Sequence, residues 1–327
     1  MNPPRPVILE PILKPKVWGG RRLASLGKAI GADTLVGESW ELADLDATSP
    51  SGGGGESAIS RVAGRDPLAG TTVRDLLGAW GERLTATLSG GRLPMLVKFL
   101  DAREHLSVQV HPSPAYAAAH PGAHLKSEAW LVLDAEPGSV IYSGLQDGCG
   151  RAELEAALGA GTVPSILRAL PARVGECHYL PSGTIHALGA GVLVAEVQTP
   201  SDTTFRVYDW AREYGRAGRE LHVEQALEAA VFEPPPDPVL LGDDALDCGA
   251  FVLRVIAGDR PVPAADAEAM LVVMALAGPV ELIDAEGSFA PLELSTGETA
   301  LVPACCAMGL RIASRGAGAR ALVARAG

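Results

Sequence analysis

The stretch Leu106-Ser107-Val108-Gln109-Val110-His111-Pro112 sets the rhythm of this chain. Side chains alternate faces along a strand, so Ser107, Gln109 and His111 share one side, and Val108 and Val110 the other. A polar face of this kind points either to solvent or into the lumen of a small barrel. The Gln-x-His pair is also a usable two-ligand arm for a divalent metal, offering an amide oxygen and an imidazole nitrogen. Working outward, short runs of Val, Leu and Ile bounded by Gly, Pro, Asp and Ser recur at 95–99, 129–133, 192–197 and 251–256. The pattern predicts a mainly β chain, a barrel or sandwich. Helical pattern is modest: 72–77, with Thr71 or Thr72 as N-cap, then 116–120, 152–158 and 223–231.

The chain has 327 residues, with 27 basic against 39 acidic side chains and a formal net charge of −12. That balance argues against nucleic acid or an anionic membrane as partner, because phosphate backbones need clustered Lys and Arg. It leaves room for a small anionic substrate held by one or two local cations. Five cysteines, two of them adjacent (Cys305 and Cys306) and none in CxxC spacing, exclude a disulfide framework and fit a reducing cytoplasm. The adjacent pair is expected to fill the interior of a second, C-terminal barrel. No secretory signal is visible at the Pro-rich N-terminus, and the longest apolar stretch, 270–280, falls short of the ~20 residues a membrane-spanning helix needs. Residues 49–57 (SPSGGGGES) read as a surface loop, since the lysine and following helix of a phosphate-binding loop are missing.

Residues 233–238 (EPPPDP) form the clearest linker. They predict a domain over 1–232 and a smaller β-domain over 239–327. All seven histidines lie between His105 and His222, so imidazole chemistry belongs to the first domain and the second is structural.

Further chemistry-bearing residues follow the opening stretch. Lys126-Ser127-Glu128-Ala129-Trp130 puts Lys126 and Glu128 on one face, as an exposed ion-pair edge or part of a site. Pro181-Ser182-Gly183-Thr184 is turn chemistry that delivers His186 to the start of a strand. Glu196 stands in otherwise apolar company, where a carboxylate needs a partner or a task. Arg206 sits between aromatics. Together these supply one Gln, two His and one Glu, a mixed set suited to zinc or a similar ion. His105, His120, His124, His178 and His222 are expected to be surface or hydrogen-bonded structural residues.

At this point the sequence resembles the type I mannose-6-phosphate isomerases, in their short bacterial form. The resemblance rests on 97–102 (VKFLDA), QVHP at 109–112, KSEAW at 126–130, PSGTIHALG at 181–189 and EVQTPSDTTFRVYDW at 196–210. The early KVWGG at 16–20 and GESW at 37–40 fit it too. It implies two cupin-type jelly-roll β-barrels, with a few short helices accompanying the first. It implies Zn²⁺ on Gln109, His111, Glu128 and His186, with Arg206 catalytic. The implied reaction interconverts mannose 6-phosphate and fructose 6-phosphate by metal-assisted proton transfer between C1 and C2. Glu196 is the preferred base, with a metal-bound hydroxide as competitor and a structural pairing with Arg206 as the alternative. Lys126 is expected at the substrate, and Ser107 and Lys98 at its phosphate. The protein is expected to be cytoplasmic, a monomer or homodimer. The competing readings are a non-catalytic sugar-phosphate sensor and a metal-dependent cupin enzyme on another substrate.

Overall fold

The computed structural model describes residues 3–46, 58–86, 91–242 and 244–327, so the glycine-rich 49–57 lies outside the described residues. The chain is mainly β, as its rhythm predicts. Seven antiparallel strands form one sheet in the order Ile12–Lys14, Glu38–Leu42, Leu96–Ala102, Val192–Gln198, Glu128–Ala135, Glu176–Leu180 and Val239–Leu240. A five-stranded sheet packs against it, ordered Leu167–Pro171, Val140–Leu145, His186–Leu188, Val108–Val110 and Phe205–Tyr208. Between them lies a core that joins Leu100, Trp130, Val132 and Val194 of the first sheet to Ile141 and Leu188 of the second.

Strict alternation gives each sheet a second apolar face. Val97, Phe99, Leu131 and Ala195 point away from the inner core, onto the helix Val73–Trp80 and onto Phe251, Met274 and Leu322 of the C-terminal strands. Val108, Val110 and Phe205 point outward onto the helices Pro114–Ala119, Arg151–Ala160 and Val223–Ala229. Both faces of these sheets are therefore largely apolar, with buried polar groups gathered on the inner face and, on the outer face, Ser39, Glu41 and Asp101 paired within the protein. Thr72 caps Val73–Trp80 through a capping box with Asp75, an interaction worth about 1 kcal/mol.

Five C-terminal strands with Val7–Ile8 form a six-stranded sheet, and four more form a second sheet, around a core of their own. Two strands cross the Pro-rich linker. Val7–Ile8 pairs with Thr299–Val302 in the C-terminal sheet, whereas Val239–Leu240 pairs with Glu176–Leu180 in the seven-stranded one. The apolar stretch 270–280 folds as Leu271–Ala277, a turn at Gly278 with φ +66°, and the start of Val280–Asp284. Among the described residues no helix is long and apolar enough to cross a membrane. All five cysteines are free. Cys306 fills the C-terminal core as expected, but Cys305 is exposed. The pair lies in the short 3₁₀ turn Ala304–Cys306, where successive side chains point in different directions.

Candidate metal centre and its cavity

The polar face of the opening stretch points inward, between the two sheets. Ser107 and His111 are buried and Gln109 is half-buried. Across the five-stranded sheet Gln109 stands opposite His186 on one side and Arg206 on the other. Across the seven-stranded sheet Lys98 stands opposite Glu196, and Glu196 opposite Trp130, two residues beyond Glu128. Strand pairing thus gathers residues that are up to 98 positions apart in the chain.

Local sequence fixes the two histidines. His111 lies just past its strand, which stops at Val110 because Pro112 follows and Ser113 caps the next helix. His186 follows the turn in which Thr184 N–H donates to Pro181 O at 3.0 Å. Gly183 takes φ +95° in that turn, and a Cβ there would meet Val231 Cγ2 at 2.6 Å, so the turn needs glycine.

His111 Nδ1 lies 2.8 Å from Thr203 O and His186 Nδ1 lies 2.8 Å from Thr184 O. A carbonyl only accepts, so both Nδ1 atoms carry the proton and both Nε2 atoms present lone pairs. His186 Nε2 stands 2.9 Å from Glu128 Oε1, a buried oxygen with no hydrogen-bond partner. Glu128 Oε2 lies 3.5 Å from His111 Nε2. The three ligating atoms all fall within 4.8 Å of one another. Electron pairs facing each other in a dry site require a cation, so His111, Glu128 and His186 suit a divalent metal.

Gln109 belongs to the same cluster, its amide Nε2 being 3.2 Å from His186 Nε2. Turning the amide over presents its oxygen instead. Lys126 donates to Glu128 Oε2 at 2.6 Å and to His111 Nε2 at 3.0 Å, a buried ion pair rather than an exposed edge. Burial and the Lys126 ammonium push the His111 imidazole down to about 3, against the pull of Glu128. Burial opposes ionisation of Glu128, but Lys126 and the two histidines outweigh it and keep it a carboxylate.

A cavity of about 270 Å³ opens beside this cluster. Gln109, Ser107, Lys98, Lys126, Glu196 and Arg206 all line it. Glu196 Oε2 accepts the Trp130 indole N–H at 2.8 Å, while Oε1 is 3.3 Å from Lys98 Nζ without a hydrogen bond. Burial raises the Glu196 pKa, with Lys98 working against it. Arg206 Nη1 donates to Glu220 O at 2.7 Å, and its Nε is 4.0 Å from Asp209 Oδ1. The alternative pairing of Glu196 with Arg206 is absent from the described contacts: Glu196 is held by Trp130 and Lys98 instead.

The cavity wall also holds Lys16, Trp18, Glu38, Asp202, Thr204 and Arg219, to which the sequence reading gave no role. Glu38 had a signal, since GESW puts it on one face with Trp40. Arg219 had none: it reaches the cavity through Asp209, which accepts from Arg219 Nε at 2.6 Å and from Arg216 Nη1 at 3.2 Å. Lys16, Lys98, Lys126, Arg206 and Arg219 outnumber Glu38, Glu196 and Asp202 on the wall, a local excess of positive charge in an acidic chain.

His178 departs from expectation. It is buried beside Trp130 in the strand register, and neither ring nitrogen has a hydrogen-bond partner. Burial pushes its imidazole down to about 4.

The family model for the catalytic domain of type I phosphomannose isomerase matches residues 8–132. A mannose-6-phosphate isomerase of Streptococcus mutans is 36% identical over 233 residues, covering 70% of this chain and 69% of its own. ManA of Bacillus subtilis is 35% identical over 71% of this chain and 70% of its own. The crystal structure of a Bacillus subtilis mannose 6-phosphate isomerase superposes with TM-score 0.78 at 28% identity, over 98% of this chain and 99% of that one. At 18% identity and TM-score 0.69, a Salmonella typhimurium mannose 6-phosphate isomerase solved with its substrate (F6P) and zinc shares the fold, over 98% of this chain and 99% of that one.

Proposed function

Because the chain belongs to the type I phosphomannose isomerase family, we propose that it interconverts mannose 6-phosphate and fructose 6-phosphate at the cavity beside His111, Glu128 and His186. The observation that carries the reading is the 2.9 Å approach of His186 Nε2 to the unpartnered Glu128 Oε1, beside a cavity that Gln109 and Lys126 line and whose wall has excess positive charge. His111, Glu128 and His186, with Gln109 as fourth ligand, hold zinc. Bound there, zinc acts as a Lewis acid toward substrate oxygens and neutralises charge that develops on them.

The protein's own groups supply the rest. Glu196 Oε1, free of hydrogen bonds, is the base. It takes the proton from C2 of the open-chain aldose and returns it to C1, while a proton passes from O2 to O1. Atoms and electrons balance with no redox partner. A carboxylate whose pKa is lifted by burial is a better base than a solvated one. Arg206 stabilises the developing negative charge on oxygen and orients the sugar. Lys126 contributes positive charge at the substrate oxygens. Ser107, Arg219 and Lys16 meet the phosphate, the dianion that the cationic wall matches. Lys98 is engaged with two carboxylates, so its contribution is to the base as much as to the phosphate.

The chemistry belongs to the part of the chain before the linker, and the later strands serve as a structural support. A reducing, cytoplasmic setting fits five unpaired cysteines. A coupled assay on both hexose 6-phosphates tests the reading. Activity that disappears with a chelator and returns with zinc supports it. A metal-replete protein that binds either sugar phosphate without turning it over would be a sensor.

A further inference from the structure

Two carboxylates in the cavity wall are held alike. Glu38 Oε2 accepts the Trp40 indole N–H at 2.6 Å, and Glu196 Oε2 accepts that of Trp130 at 2.8 Å. Between them lies the Lys98 ammonium, 3.3 Å from Glu196 Oε1 and 3.6 Å from Glu38 Oε2, and 4.8 Å over the Trp40 ring. Lys98 and Glu196 are 3% and 2% exposed, so water does little to screen them. In such a place a lone lysine–carboxylate pair closes to a charge-assisted hydrogen bond of about 2.8 Å. Here it stays open, and a second anion stands next to the ammonium. Lys98 and Lys16, the latter 3.5 Å away, overcome the effect of burial and hold the Glu38 carboxyl down to about 2, so Glu38 is charged at any working pH.

We infer that Glu38 is a positioning residue for the isomerisation: by sharing the Lys98 ammonium it keeps Glu196 Oε1 open as a proton acceptor. The inference rests on the reading of Glu196 as the base. The charges facing Glu196 are Lys98 from Leu96–Ala102, Glu38 from Glu38–Leu42, and Glu128 with Lys126 at the head of Glu128–Ala135. Of these, Lys98 and Lys126 favour its carboxylate, whereas Glu128 and Glu38 oppose it.

The test is the pH profile of kcat at saturating substrate with zinc present. In Glu38→Gln the ammonium closes onto Glu196. The acidic limb should move down by about one pH unit and kcat near neutrality should fall roughly tenfold, with KM little changed. Lys98→Met should move the same limb up. Should Glu38→Gln not fold, Glu38→Asp draws the carboxylate back by one methylene and should give a smaller downward shift. A limb that stays put in a folded variant overturns the inference, because a merely structural role lowers activity without moving it. A rise in KM alone overturns it too, placing Glu38 on the substrate. An inactive wild type, or an active Glu196→Gln, would instead sink the underlying reading.

Discussion

His186 Nε2 and Glu128 Oε1 face each other across 2.9 Å, two electron-pair donors with the imidazole proton committed to Thr184 O on the other side of the ring. A cation in contact with both turns that repulsion into binding energy. Zinc at a hundred times its Kd should therefore stabilise the fold by about 2.7 kcal/mol, seen as a higher Tm in calorimetry. His186→Ala should show no such rise.

Arg206 makes a single described side-chain hydrogen bond, to Glu220 O at 2.7 Å, and its buried Nε has no hydrogen-bond partner, Asp209 Oδ1 standing 4.0 Å away. Arg206→Ala should lower kcat by roughly 10²–10³ while zinc content, measured by mass spectrometry, stays at the wild-type level. Loss of metal along with activity would make Arg206 part of the site's scaffold.

Glu196→Gln keeps an oxygen for the Trp130 indole N–H and removes only the basic group. It should fold, bind zinc and lose roughly 10²–10⁴ in kcat. Turnover near the wild-type rate would assign proton transfer to another group.

How much of this could be read from the sequence follows from how far each feature depends on long-range pairing. Alternation put Ser107, Gln109 and His111 on one face, but that this face looks inward depends on the sheet opposite. Lys126 and Glu128, taken alone, read first as an exposed pair, and only burial between the sheets makes them part of the site. The four expected helices lie near their spans, Val73–Trp80 and Pro114–Ala119 announced by the caps Thr72 and Ser113, whereas Val7–Ile8 gives no sign that it joins a sheet formed almost three hundred residues later. Arg219 and Glu38 escaped because their roles come from neighbours in space: Asp209 for the first, Lys98 for the second. His178 escaped because its neighbours in sequence do not show that its ring is shut away from every partner.

That histidine makes stability depend on pH. Burial pushes its imidazole from 6.5 down to about 4, so between those values the unfolded chain binds the proton and the folded one does not. Stability from this group is fully present above pH 6.5 and is lost as pH falls toward 4. In zinc-free buffer, the Tm of His178→Phe should fall less than that of the wild type between pH 7 and pH 5. Equal slopes would mean that His178 finds a partner in solution.

The most direct measurement is anomalous diffraction at the zinc edge from crystals of the zinc-loaded protein. The account predicts one strong peak within about 2.0–2.2 Å of His111 Nε2, His186 Nε2 and a Glu128 oxygen, with the Gln109 amide beside it. A zinc-loaded crystal with no peak among these residues, or with its peak elsewhere in the chain, would contradict it.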